Sequence, residues 1–85
     1  MNLITIERID GYDVVDSRLI ADELGIKPKN FYQNIKDNKE DIEQDFGHIL
    51  FKTDTVTNSV GAVNTVNFAY LNEDQATYLM ALSRN

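Results

Sequence analysis

The stretch Ser17-Arg-Leu-Ile-Ala-Asp-Glu-Leu-Gly-Ile-Lys-Pro-Lys-Asn-Phe-Tyr-Gln-Asn-Ile-Lys36 contains two runs of helical spacing broken by Gly25-Ile26-Lys27. In the first run Leu19, Ile20, Leu24 and the small Ala21 recur at helical intervals. Asp16 or Ser17 supplies the side-chain oxygen that caps a helix N-terminus, and Gly25 reads as its stop. Proline is tolerated in a first turn, so the second helix starts at Pro28 or Lys29. Phe31 and Ile35, four apart, share one face of it. Two short helices crossing steeply need a small residue where their backbones meet, and Ala21 is placed for that. The turn needs a residue that accepts positive φ, which Gly25 does. An apolar residue must plug the corner, and Ile26 follows at once. This is the helix-turn-helix pattern, whose second helix enters the DNA major groove. One position departs from it: the apolar residue expected three after Phe31 is Asn34, and Ile35 comes one place late.

Outward from this core, the segment Leu3 to Asp16 reads as a hairpin. Ile4, Ile6 and Ile9 form the first strand, Asp10-Gly11 is the two-residue turn suited to a type I′ loop, and Tyr12, Val14 and Val15 return. Asp37 to Gly47 is acidic and polar, with Ile42 and Phe46 four apart, and reads as a third short helix. Ile49 to Val56 and Val63 to Tyr70 read as two strands joined by the turn-forming link Thr57–Ala62, and the alternation along Val63–Tyr70 fits a half-buried strand. Asn72 caps a last helix, with Gln75 as its capping-box partner and Ala76, Leu79, Met80 and Ser83 inward. The order is two strands, three short helices, two strands and a helix. The expected fold is α+β, small β-hairpins around a helix-turn-helix core, winged-helix-like, forming one domain over residues 1–85. Arg84-Asn85 falls in or just after a helix without a glycine or proline stop, so a fragment of a longer protein is expected.

Composition bounds what this domain does. Eighty-five residues make one small domain with one modest core. At 42% hydrophobic and 26% charged, the chain is neither low-complexity nor strongly disordered. No apolar run approaches the roughly 20 residues of a membrane span, and Met-Asn-Leu-Ile-Thr-Ile-Glu-Arg lacks the pattern of a secretory signal. With no cysteine there are no disulfides, thiol nucleophiles or cysteine zinc sites, and a cytoplasmic location is the default.

Charge placement is more informative than its sum. Ile26 to Lys36 carries three lysines and no acid, leaving the rest of the chain at −9 against a net of −6. Such a chain is no general polyanion binder, because nonspecific binding runs on phosphate neutralisation. Its one basic stretch lies where a recognition helix belongs. Lys27, Lys29, Asn30, Tyr32, Gln33 and Lys36 lie off the Phe31/Ile35 face or at the helix entrance. Lysines there suit phosphates, and Asn30 or Gln33 suits an adenine edge. The plainer reading is a solvated lysine face. Few phosphate contacts per chain would call for a homodimer. The link Thr57–Asn64 has no basic residue, so core and edge pairing is expected there rather than a DNA-touching wing. His48 is the only histidine and reads as satisfied or exposed. The acids between Asp37 and Asp45 match no calcium loop and read as a solvated helix face. Phosphate-cradling glycine loops and a Ser/His/Asp set are absent, so neither an enzyme, a cofactor nor a metal is expected.

Val15-Asp-Ser-Arg-Leu-Ile-Ala-Asp-Glu-Leu-Gly, then Lys29-Asn-Phe and Ile35, a Phe-Gly-His turn, a strand pair and Tyr70-Leu-Asn-Glu-Asp-Gln-Ala-Thr together resemble the phage regulatory protein Rha family, from about Tyr12 to Arg84. The likeness is tightest at Asp16-Ser17-Arg18 and at Asn72–Ala76. Pro28, where that family often has His or Lys, and the acidic Asp37–Asp45 stretch depart from it. The resemblance implies a phage- or prophage-type transcription regulator whose N-terminal domain binds double-stranded DNA. It also implies a second possibility, an antirepressor-like module that binds a repressor protein or self-associates without touching DNA. It suggests that Arg18 does more than start a helix: it contacts phosphate, or it pairs with an acid such as Asp22 four residues on.

Overall fold

A computed structural model describes residues 5–83; Ile4 of the expected first strand and Arg84-Asn85 lie outside the described residues. Asp10 and Gly11 both take positive φ, 53° and 83°, as a type I′ turn requires. They join β1 (Ile6–Ile9) to β2 (Tyr12–Asp16), with Ile9 opposite Tyr12 and Ile6 opposite Val15. The chain leaves β2 directly into α1 (Ser17–Leu24), whose N-terminus is capped by the Asp16 carboxylate accepting from the Arg18 N–H. Gly25, at φ 73°, ends α1: the Gly25 N–H donates to the Asp22 carbonyl and the Ile26 N–H to that of Ala21. This left-handed stop with its apolar successor is the Schellman arrangement.

Pro28 opens α2 (Pro28–Asp37), which buries Phe31 and Ile35 completely. Asn34 is exposed, so the one-place slip in the apolar pattern leaves the anchoring at i and i+4. Asn38 separates α2 from α3 (Lys39–Phe46), which turns Ile42 inward and leaves Glu40, Asp41 and Asp45 in solvent. Two long strands follow, β3 (Leu50–Thr57) and β4 (Val63–Leu71), then α4 (Glu73–Ser83). The described residues form a small α+β domain with four helices and one antiparallel sheet in the order β1-β2-β4-β3.

The core lies between the helices and one face of the sheet. Ile20, Ala21, Phe31, Ile35, Ile42, Ile49, Ala69, Leu71, Ala76 and Leu79 form it, with Ile26 and Phe46 packed at its margin. Ala21, completely buried, occupies the close approach expected of it. The opposite sheet face carries a smaller apolar group around Val14, Leu50, Phe68 and Tyr70.

One expectation is corrected. The strand expected over Val63–Tyr70 is not half-buried along its length. Every residue from Lys52 to Thr65 is exposed, and β4 enters the core only near Phe68. Thr53–Thr57 and Val63–Asn67 form an exposed two-stranded ribbon. At its tip the Asn58 side chain accepts from the N–H groups of Val60 and Ala62, and Gly61 takes φ 83°.

Candidate nucleic-acid interface

Helix α2 is held by its buried face and by one half-buried ring. Tyr32 meets Phe51 of β3 edge to face, centroids 5.9 Å apart, and so fixes the rotation of the helix. Tyr32, one of the groove-facing candidates, thus also packs at the rim of the core. The helix turns outward Pro28, Lys29, Asn30, Gln33, Asn34, Lys36 and Asp37, with Lys27 just before it. Among the described residues neither Lys27 nor Lys29 meets a carboxylate, and the Lys36 ammonium sits 5.8 Å from the Tyr32 ring centre. The first turn holds no acid and no side chain caps it, so the positive end of the helix dipole adds to the two lysines at the entrance. Gln33 donates one N–H from Nε2 to Asp37 at 2.9 Å, which holds its amide along the helix. Asn30 carries no such tie.

Arg18 belongs elsewhere. Its Nε lies 3.1 Å from both Asp16 oxygens, its Nη2 donates to Asp16 at 2.6 Å, and its Nη1 lies 3.5 Å from Asp54. The guanidinium sits 3.8 Å above the Phe68 ring. Hydrogen bonding to Asp16 raises its pKa further above an already high value, against the cost of burial. Two carboxylates and a ring thus surround the Arg18 guanidinium, whose side chain stays 29% exposed. Ser17 completes the motif by accepting the Ala69 N–H at 3.0 Å, which ties the start of α1 to β4.

The second motif is equally structural. Asn72 and Gln75 form the expected capping box: the Gln75 N–H donates to Asn72 Oδ1 at 2.8 Å and the Asn72 N–H to Gln75 Oε1 at 2.9 Å. Gln75 Nε2 then donates to the carbonyls of Gly47 and His48, and Asn72 Nδ2 to that of Phe46. These bonds clasp the end of α3 to the start of α4. Sequence reading saw the box; the links to the 46–48 turn lie 26 to 28 residues away and carry no local signal. His48 is exposed and pairs with Glu43 at 3.0 Å. Burial pushes the Tyr70 phenol above its ordinary value, with Glu7 and Asp16 adding to the shift.

A concave apolar cleft of about 330 Å³ lies between Tyr12, Val14, Leu50 and Tyr70, with Asp10, His48, Asn72 and Gln75 also lining it, the last two committed to the clasp. Among the described residues no helix is long and apolar enough to cross a membrane. Comparison with family profiles, curated proteins and solved structures returned no match.

Proposed function

We propose that this domain is a DNA-binding regulatory module in which α1 and α2 act as a helix-turn-helix and α2 lies in the major groove. One observation carries the reading: α2 is anchored by Phe31, Ile35 and Tyr32 while Lys27, Lys29 and Lys36 stand in solvent with no carboxylate partner among the described residues. In a chain of net charge −6, that face is where a polyanion is least repelled. Lys27, Lys29 and Lys36 take phosphates and Asn30 reads a base edge, with Gln33 as its second. In this reading the β3–β4 ribbon is the wing of a winged-helix-like arrangement. The resemblance to phage Rha proteins agrees with a cytoplasmic regulator that binds double-stranded DNA and catalyses nothing.

The test is the salt dependence of binding to duplex DNA. Each lost phosphate contact lowers the slope of log affinity against log salt by about 0.9. A Lys29→Ala/Lys36→Ala variant should bind more weakly, with a slope about 1.8 shallower than the parent's, and Arg18→Ala should leave the slope unchanged. A double variant with the parent's affinity and slope refutes the groove assignment. Absence of DNA binding at low salt, with capture of a repressor, would establish the antirepressor reading instead.

A further inference from the structure

The two edges of the protruding ribbon are treated differently. In an antiparallel strand, alternate residues turn both N–H and C=O to one side. Ala69 turns its N–H away from β3, to Ser17 Oγ, and the unbroken register from Leu50↔Tyr70 to Thr57↔Val63 extends that parity along β4. Asn67, Thr65 and Val63 therefore direct their main-chain groups away from β3. Strand β2 pairs only with Tyr70 and Leu71, so no strand of the sheet reaches them.

Proteins guard a free edge with charge, proline, a bulge or a side chain that takes the main-chain group. The outer edge of β3 is guarded in this way. It carries Lys52 and Asp54, and Asp54 Oδ1 accepts the Thr55 N–H at 2.8 Å. The free edge of β4 has none of these devices: Val63-Asn64-Thr65-Val66-Asn67 contains no charge, proline or glycine. No charged residue occurs anywhere from Thr55 to Asn72, in a chain that is 26% charged. Val63 and Val60 beside it are 64% and 85% exposed.

We propose that the free edge of β4 over Val63–Asn67 pairs antiparallel with the same edge of a second copy of this chain, about a two-fold axis near Thr65. A strand edge is self-complementary under such an axis, as an isologous contact requires. Two copies that each carry −6 repel wherever their acids meet, and this uncharged stretch lets them approach without that cost. Five residues of strand bury less than the roughly 800 Å² per partner of a standard interface, so the pairing is weak and reversible. The inference stands on the ribbon alone and is independent of DNA binding.

Sedimentation equilibrium of the 85-residue chain without DNA, from about 10 μM to about 1 mM, should show the mass rising towards that of two chains. Hydrogen exchange should slow with concentration at the amides of Val63, Thr65 and Asn67, and not at those of Phe51, Thr53 or Thr57 on the guarded edge. Thr65 is exposed, so Thr65→Lys and Thr65→Glu should each keep the parent's thermal unfolding. Each should weaken association about tenfold or more, and mixing the two should restore it. A chain that stays single at about 1 mM overturns the proposal and leaves the edge to a strand of some other protein. Association unaffected by Thr65→Lys, or a mixture no better than either variant alone, overturns it as well.

Discussion

Arg18 is a cation whose worth lies within the fold. It joins the end of β2, the start of α1, β3 and β4 through Asp16, Asp54 and the Phe68 ring. Truncation strands a largely buried Asp16 and uncovers an aromatic face, so Arg18→Ala should destabilise the domain by about 1–3 kcal/mol in denaturant unfolding. A loss within a few tenths would show the cluster to be ornamental. Its capping half was legible in Asp16-Ser17-Arg18; the Asp54 half was not, because the two lie 36 residues apart and ion pairing leaves no periodicity. Glu43 offers a second test. The Ile49 N–H, donating to its Oε2 at 2.8 Å, holds its carboxyl below the ordinary value of 4.5, helped by Lys39 and His48 against the cost of burial. A carboxyl depressed in the folded state stabilises it above its unfolded value, and the contribution is lost as pH falls through the folded one. Stability should therefore drop below about pH 4.5 in the parent, and the drop should be shallower in Glu43→Gln when melting is followed across that range.

The same contrast between local and distant chemistry holds for whole elements. Turns and caps were readable because their chemistry is local: Asp10-Gly11, Gly25, Pro28 and the Asn72/Gln75 box each set one boundary. The exposure of the ribbon was not readable. Alternation in Val63–Tyr70 fixes which side each residue takes, but not whether anything covers that side. The outward face of α2 was legible in part: Lys29 and Lys36 are exposed where the spacing put them, and Tyr32 rests its ring on Phe51. Because residues 52–65 contribute exposed surface and little core, the ribbon should be separable from stability. Replacing Thr55–Thr65 with an Asn-Gly turn between Asp54 and Val66, whose main-chain groups face each other, keeps the register and shortens the arm. The unfolding free energy should change by less than about 1 kcal/mol, since a shorter loop offsets the lost strand pairs. A collapse of the melting transition would mean that the ribbon supports the core.

At the scale of the molecule, charge separates into one small basic face and a large acidic remainder, and the two respond oppositely to salt. Added salt screens the repulsion among fourteen acids in a compact chain, which lowers the energy of the folded state relative to the expanded one. Added salt also removes the gain from releasing counterions when Lys27, Lys29 and Lys36 meet phosphates. Between about 20 and 200 mM salt, where the screening length shortens through 10 Å, the midpoint of thermal unfolding should rise while affinity for duplex DNA falls. With three phosphate contacts the affinity loss over that tenfold range is about 500-fold, small enough to follow in one titration series. Parallel trends in the two measurements would refute the division of charge between them. If affinity is flat while stability rises, the lysine face is only a solvated surface, and the DNA reading fails although the account of the fold stands. The Lys29→Ala/Lys36→Ala variant, more acidic than the parent, should gain at least as much stability from salt and lose less affinity, which ties both responses to the same two side chains.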